Sequence, residues 1–153
     1  MNFELAHTSS RFGDAGDAWM HWEEAARIAE RLPEGYYQPW TSFSQVIMAP
    51  HAVTIAVELH QGGESARQAS GALAAPIPSR PRRGRHLIEV ARAHHLQRDH
   101  AAVLGTLQLA QQAAPETIRY NGYARRMLLE LAEGPAAFQA QARSLADRIG
   151  LLV

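Results

Sequence analysis

The 153-residue chain contains neither cysteine nor lysine. Without cysteine it has no disulfide, no thiolate metal ligand and no cysteine nucleophile, so packing has to stabilise the fold. Without lysine, all 15 of its permanently charged basic residues are arginines. Each arginine carries a planar guanidinium that can bind a carboxylate or a phosphate through two hydrogen bonds, so guanidinium contacts are the main cationic chemistry open to the chain.

Long apolar runs and targeting signals are also missing. No apolar run approaches the roughly 18 residues that a membrane-spanning helix needs. The N-terminal sequence MNFELAHTSS has neither the basic region nor the apolar region of a secretory signal. We therefore expect a cytoplasmic protein with no membrane partner. A composition of 46% hydrophobic and 20% charged residues predicts one globular domain over residues 1–153.

The formal net charge is zero, but the charge is unevenly distributed along the chain. Residues 1–78 carry nine acids and four arginines, a net charge of −5, and residues 79–153 carry eleven arginines and six acids, a net charge of +5. Such polarity suits head-to-tail contacts or an acidic partner at one end. The alternative is that the charges lie on solvated helix faces and offset one another in the fold.

Apolar residues recur at spacings of three and four through most of the chain, and glycine or proline separates the segments. The pattern predicts an all-α fold of about seven antiparallel helices: 14–32, 42–59, 64–73, 79–97, 99–113, 115–131 and 135–149. We expect residues 135–153 to cap the fold and residues 1–13 to form an extension or a partial helix, with an eighth helix possible at residues 2–11. Within 42–59, the β-branched residues of AVTIAVEL also suggest a strand, and Pro50 can kink a helix. The length of the segment favours a helix.

The clearest internal unit is LIEVARAHHLQRDHAAVLGTLQLAQQAAP, residues 87–115. Its spacing fits the two-helix tetratricopeptide repeat, whose pattern places are taken by Leu87, Val90, Ala91, His94, Val103, Leu107, Ala110 and Pro115. Weaker halves of the unit occur in GDAWMHWEEAARIA and AVTIAVELHQGGESARQA. Because an amphipathic helix pair cannot bury both its faces alone, we predict a stacked, tetratricopeptide-like α-solenoid.

Six short segments occur in a characteristic order: GDAW (16–19), PWTSF (39–43), HAVTIAVELHQGGESARQA (51–69), IPSRPRRGR (77–85), VARAH (90–94) and APETIRY (114–120). This order resembles the C-terminal region of actinobacterial helix-turn-helix (XRE-type) transcriptional regulators with tetratricopeptide-like sensor regions. The resemblance implies a helical array that dimerises or receives a signal for an N-terminal DNA-binding domain. No helix-turn-helix segment precedes residue 14, so we expect no direct nucleic-acid contact through this chain, which is either a sensor fragment or a standalone relative.

The segment GYYQPWTSFSQ, residues 35–45, places four aromatic residues in a connector between two predicted helix pairs. About ten residues is longer than such a turn needs. Trp40 and Phe43 are three residues apart, so we expect them to face the same way. Either these rings are local core between the pairs, or Tyr37, Trp40 and Phe43 form one wall of a concave binding groove.

Four arginines, Arg80, Arg82, Arg83 and Arg85, cluster near a predicted helix start, with Ser79 as its N-cap. Their charges repel one another and oppose the helix dipole, so we expect an acidic group to offset them. The candidates are the acidic half of the chain, a symmetry mate or an anionic ligand.

The eight histidines show no metal-ligand spacing, and we predict no metal and no cofactor. His51 is expected to be a hydrogen-bonded groove residue. The sequence has no phosphate loop, nucleophile elbow or convincing carboxylate pair, so an enzyme is not expected. A small enzyme that uses Glu, His and Tyr in a helical groove is kept as an alternative.

These patterns predict a non-enzymatic sensor or protein-interaction domain, as the signal-receiving and dimerising part of a regulator or as a standalone relative. A peptide, small molecule or protein partner would bind the concave groove, and a homodimer is expected. The predicted receiving surface comprises Tyr37, Trp40, Phe43, His51, Arg80, Arg83 and Tyr120. The alternative is a structural homodimerisation module, in which the aromatic connector and the final helix, from Phe138 to Ile149, pack against a second chain.

Overall fold

A computed structural model describes residues 2–41 and 43–151 of the chain. These residues form nine α-helices and no strand, so the all-α prediction is confirmed. The helices are α1 (Asn2–Arg11), α2 (Ala15–Glu30), α3 (Gln45–Glu58), α4 (Gly62–Ala72), α5 (Arg80–Leu96), α6 (His100–Ala113), α7 (Pro115–Tyr120), α8 (Gly122–Glu133) and α9 (Ala136–Arg148). None of the helices in this described part is long and apolar enough to cross a membrane.

Two features raise the number of helices above the seven that the sequence predicts. The first is α1, because residues 2–11 form a complete helix, the possible eighth helix of the sequence prediction. The second is a break at Asn121, which has an extended backbone and divides the predicted helix 115–131 into α7 and α8. The side-chain Oδ1 of Asn121 accepts a hydrogen bond of 3.0 Å from the backbone N–H of Ala124. Asn121 therefore caps a new helix instead of continuing the old one.

The chain divides into two compact units, unit 1 (Met1–Pro76) and unit 2 (Ile77–Val153). In unit 1, α1 packs against α2, α3 packs against α4, and α3 also contacts both α1 and α2. Asp14 begins α2, because its Oδ1 accepts a 3.0 Å hydrogen bond from the N–H of Asp17. Unit 1 thus consists of two helical hairpins, and the first helix of the second hairpin packs against both helices of the first.

The helix α3 is the centre of unit 1. Its buried residues lie on every side of the helix: Met48, Pro50, His51, Ala52, Val53, Ile55, Ala56 and Val57. A helix that is apolar all round has to be surrounded by other elements, as α3 is by α1, α2 and α4. This explains why β-branched residues alternate in a segment that is not a strand. Pro50 lies inside α3 without ending it.

Large rings and small alanines alternate where α2 meets the rest of unit 1. Ala18, Ala25 and Ala29 are buried, and Trp19 and Trp22 pack beside them with their rings 5.9 Å apart in an edge-on arrangement. Both indole N–H groups donate hydrogen bonds of 3.1 Å, that of Trp19 to a side-chain oxygen and that of Trp22 to a backbone carbonyl. This face of α2 therefore has satisfied polar groups as well as apolar contacts.

Unit 2 contains the hairpin α5–α6, the short helix α7 and the hairpin α8–α9, which pack around one core. Asp99 caps α6 by accepting a 3.0 Å hydrogen bond from the N–H of Ala102. Ser79 occupies the N-cap position of α5, as predicted, but its side chain makes no capping hydrogen bond. Gly150 follows α9 with φ of 72°, the left-handed conformation typical of a helix C-terminus.

The apolar face of α9 is buried within unit 2. Phe138 is half-buried against the core, and Ala142, Leu145, Ala146 and Ile149 are buried in it. The structural-dimer alternative needs this face to pack against a second chain. These side chains already pack within unit 2, whereas Trp40 of the aromatic connector is exposed, so the structural-dimer alternative stays a prediction that depends on the connector.

Candidate functional site

A groove of about 310 Å³ opens in unit 1 where α1 begins, α2 ends and the aromatic connector passes between them. Its lining consists of Asn2, Phe3, Glu4, Ala25, Ile28, Gln38, Thr41 and Phe43. The walls are aromatic and aliphatic, and the polar groups are few. This is the composition typical of a small-molecule site, at the lower end of the usual size range.

Hydrogen bonds within the connector fix its conformation beside the groove. Oε1 of Gln38 accepts bonds from the N–H of Thr41, at 2.9 Å, and from its hydroxyl, at 3.2 Å. The backbone N–H of Gln38 donates to the carbonyl of Phe43 at 3.0 Å. The N–H of Phe43 donates to the hydroxyl oxygen of Thr41 at 3.3 Å. These bonds hold Gln38, Thr41 and Phe43 in one arrangement, in a connector that lies between two helix pairs, as predicted.

Trp40 and Phe43 do not face the same way, so that expectation is wrong. Phe43 is half-buried against Ala25, Ala29 and Met48, and its ring meets the ring of Phe3 edge-on at 5.9 Å. Trp40 is 88% exposed. Spacing of three residues aligns side chains only within a helix, and α3 begins after both of these residues, at Gln45. Phe43 is thus both local core and groove wall, whereas Trp40 faces water.

His51 lies behind the groove wall. Its ring stacks on Phe3, with centroids 3.9 Å apart and planes 24° apart, and the ring of His7 is 6.3 Å away. Nδ1 of His51 is buried and has no hydrogen-bond partner among the described residues, contrary to the expectation of a hydrogen-bonded histidine. Burial, with a smaller contribution from His7, lowers the pKa of His51 to about 3. The imidazole is therefore neutral at physiological pH.

Phe3 joins the two predicted residues Phe43 and His51 into one layer of rings, and the sequence reasoning missed it. The sequence reasoning also missed Ile28 and Gln38, which line the groove. The available signal was the helical spacing of Phe3, Ala6 and His7 in residues 2–11, which places them on one face of α1.

A second, more open groove of about 450 Å³ lies in the same unit between α2, α3 and α4. Its lining includes Trp22, Met48 and Gln68. Nε2 of Gln45 donates a 3.3 Å hydrogen bond to the carbonyl of Glu30 across it. None of the predicted site residues lines this second groove. The first groove, which we call the ring-lined groove because Phe3 and Phe43 form part of its wall, is therefore the stronger candidate.

The predicted arginines Arg80 and Arg83 lie in unit 2 and contact backbone carbonyls. Nε of Arg80 donates to the carbonyl of Ala113 at 3.0 Å. Nε and Nη2 of Arg83 both donate to the carbonyl of Ile77, at 3.1 and 2.8 Å. Ala113 ends α6, where unpaired carbonyls carry partial negative charge. Carbonyl oxygens, rather than the expected acidic group, therefore meet both guanidiniums.

Tyr120, the last predicted site residue, ends α7 in unit 2 and is 76% exposed. The guanidinium carbon of Arg119 lies 5.5 Å from the centroid of its ring. Tyr123 lies three residues further along the chain, and the guanidinium carbon of Arg92 is 3.7 Å from the centroid of its ring. Arg92 and Tyr123 were not among the predicted residues, because the pair joins α5 to α8 across the fold.

Among residues 2–41 and 43–151, no group of three or more histidine, aspartate or glutamate side chains is placed to hold a metal ion. No protein-family model, curated protein or solved structure matches the chain.

Proposed function

We propose that the chain is a non-enzymatic, tetratricopeptide-like sensor or protein-interaction domain of the cytoplasm. It acts as the signal-receiving part of a transcriptional regulator or as a standalone relative of one. The observation that carries the proposal is the ring-lined groove, which opens beside an ordered aromatic insertion between two helix pairs.

The helix contacts within each unit support a repeat architecture. In unit 1 the hairpin α1–α2 is followed by α3, which contacts both of its helices. In unit 2 the hairpin α5–α6 is followed, after the extra helix α7, by α8, which again contacts both. Packing of a hairpin's first helix against both helices of the preceding hairpin is what stacked helical repeats require. The proposed solenoid rests on this shared pattern.

The chemistry of the groove suits a compact apolar or aromatic group. Phe3, Phe43 and Ile28 supply the apolar contacts. Glu4 is the charged residue in the lining, and the amide of Gln38 is engaged within the connector. A drug-sized molecule, or one aromatic side chain of a partner protein, matches a volume of this size.

The proposed mechanism is a shift of population between arrangements of the helices. An occupant of the groove would touch α1, α2 and the connector together, so it would favour the arrangement in which all three are in place. The size of the shift equals the difference in binding free energy between the arrangements. In the same proposal, the change of arrangement is transmitted to a dimer partner or to a DNA-binding domain.

A matched pair of substitutions on α2 tests the groove. Ile28 is 42% exposed and lines the groove, whereas Met20 is 53% exposed on the same helix and does not. Neither side chain is core, so both Ile28→Glu and Met20→Glu should fold. Ligand-observed NMR with a library of small aromatic compounds, indole first, should show binding to the wild type and to Met20→Glu, and at least tenfold weaker binding to Ile28→Glu.

Two results would count against the groove. Hits that bind Ile28→Glu as tightly as the wild type would place their site elsewhere. A library that gives no hit with any of the three proteins would mean that the groove takes no small aromatic ligand. Trp40→Ala, which removes the exposed ring beside the groove, separates a small-molecule site from a protein-binding surface, because only the latter should need that ring.

A further inference from the structure

The second groove, between α2, α3 and α4, combines apolar side chains with side-chain oxygens. The structure describes eight residues in its lining: Trp22, Ala26, Ala29, Glu30, Gln45, Met48, Ala49 and Gln68. Five of these side chains are aliphatic, sulfur-containing or aromatic, and none of the eight residues is an arginine or a histidine. The described lining therefore carries one negative charge and no positive charge.

Hydrogen bonds fix the orientation of the two amide side chains in this lining. Nε2 of Gln45 donates to the carbonyl of Glu30 at 3.3 Å. Nε2 of Gln68 donates to Oε1 of Glu64 at 2.7 Å. A carbonyl and a carboxylate only accept hydrogen bonds, so the nitrogen of each amide has to face its partner and the oxygen has to face away. Neither amide oxygen accepts a hydrogen bond from a residue in the ranges 2–41 and 43–151, so both are left as acceptors for a ligand.

The carboxylate of Glu30 is a third acceptor, and it is charged. It forms no ion pair within the part of the chain that the structure describes. Arg27 lies one turn earlier on α2, but its guanidinium is paired with the carboxylate of Glu24. Arg31 follows Glu30 directly, and adjacent residues of a helix do not face one another. The negative charge of Glu30 is therefore not neutralised by these neighbours.

The other charges and dipoles around the second groove offset one another. Glu64, which holds the amide of Gln68, is paired with Arg67 at 2.6 Å. The groove lies where α2 ends and α3 begins, so the negative end of one helix dipole and the positive end of another are both beside it. The carboxylate of Glu30 therefore sets the sign of the charge that a ligand meets.

Trp22 also favours a positively charged ligand. Its Nε1–H already donates to the carbonyl of Met48 at 3.1 Å, so the indole has only its π surface left for a ligand. The faces of aromatic rings attract cations, and indole attracts them most strongly. The thioether of Met48 and the methyl groups of Ala26 and Ala49 supply contacts for an apolar stem.

We infer that the second groove binds a small organic cation that carries its N–H donors on an apolar stem, an alkylammonium or alkylguanidinium. The oxygens of Glu30, Gln45 and Gln68 equal in number the three N–H donors of a primary ammonium group. An anion would meet Glu30 with no basic residue in the described lining to offset it. A volume of about 450 Å³ is ordinary for a small-molecule site. The inference does not depend on the ring-lined groove, whose lining residues are different.

Three probes with the same hexyl stem test the sign of the charge: hexylammonium, hexanol and hexanoate. In ligand-observed NMR titrations at low salt and about pH 7, hexylammonium should bind the wild type about threefold more tightly than hexanol. This is the preference that one solvent-exposed ion pair supplies. Hexanoate should bind most weakly, and added salt should reduce the preference for hexylammonium because it screens the charges.

Glu30→Gln removes the charge and keeps the size of the side chain. Hexylammonium and hexanol should then bind this variant about equally. Glu23→Gln is the matched control, because it makes the same change at an exposed position of the same helix outside the groove lining. It should keep the wild-type preference for hexylammonium.

A substitution that fills the second groove locates the binding site. Ala49 is exposed and lines the groove, so Ala49→Phe should abolish binding of hexylammonium and of hexanol. Val46→Phe adds a ring at another exposed position of α3, outside the lining, and should bind both probes like the wild type. Circular dichroism checks that both variants keep their helices.

Four results would overturn the inference. They are a wild type that does not bind hexylammonium, equal binding of hexylammonium and hexanol to the wild type, a preference that survives Glu30→Gln, and binding that survives Ala49→Phe. If the free amine does not bind but a peptide with basic side chains does, and Ala49→Phe abolishes its binding, the groove docks a basic segment of a protein instead.

Discussion

Acidification is expected to destabilise unit 1 through His51. The folded state holds this imidazole neutral, with a pKa of about 3, whereas the unfolded chain returns it to the ordinary value of 6.5. Between these two values the unfolded state binds a proton that the folded state does not, so folding becomes less favourable as the pH falls below 6.5.

The expected size follows from the unfolded pKa. At about pH 5 the pH is roughly 1.5 units below that value, and each unit is worth about 1.4 kcal/mol, so His51 costs about 2 kcal/mol of stability relative to about pH 7.5. A typical domain has a total stability of about 5–15 kcal/mol, so a loss of this size is readily measured.

Tryptophan fluorescence in urea is the appropriate assay, because all three tryptophans, Trp19, Trp22 and Trp40, lie in unit 1. His51→Gln removes the titrating group, and His7→Gln serves as a control that removes its half-exposed neighbour. The wild type and His7→Gln should each lose about 2 kcal/mol more than His51→Gln between the two pH values. Equal losses in the wild type and His51→Gln would refute the argument that burial keeps this ring neutral.

Two paired substitutions test the packing and capping of unit 2 by urea unfolding followed with circular dichroism. A Cβ at Gly84 would lie 2.7 Å from the Cβ of Ala114, so Gly84→Ala should cost about 1–3 kcal/mol, whereas Gly105→Ala, with open space around it, should gain about 0.5–1 kcal/mol. If Gly84→Ala and Gly105→Ala changed the free energy of unfolding equally, the close approach between Gly84 and Ala114 would be absent. Asp99→Ala should cost about 1 kcal/mol because it removes a capping bond, and Ser79→Ala, which removes none, should be near neutral; a Ser79→Ala cost as large as that of Asp99→Ala would contradict the capping assignment.

Helix type and most helix boundaries were predictable because their signals are local. Asp99 and Gly150 mark a helix start and a helix end by their own side-chain and backbone chemistry. The break at Asn121 was not predicted, because whether this residue ends a helix depends on the cap it forms with Ala124. The alternating pattern in α3 was ambiguous because burial on all sides erases the amphipathic signal on which the prediction depends.

The site was harder to predict because its contacts join distant parts of the chain. Phe43 was predicted, but its partner Phe3 belongs to α1. The outward direction of Trp40 depends on hydrogen bonds within the connector rather than on spacing. Arg83 was expected to meet an acid, yet a carbonyl satisfies it, because backbone acceptors have no sequence signature. The proposed sensing function stays a prediction from the sequence.

The hydrogen bonds of Gln38 have an entropic consequence for any partner that uses Trp40. A free surface loop has to be ordered when it binds, and each immobilised side chain costs about 0.5–1.5 kcal/mol. In this connector the amide of Gln38 and the hydroxyl of Thr41 already hold the backbone on either side of the indole. The backbone on both sides of Trp40 is thus ordered when the protein folds, and a partner has to immobilise only the indole side chain itself. The amide of Gln38 therefore lowers the entropic cost of binding at Trp40 by holding the neighbouring backbone in place before a partner arrives.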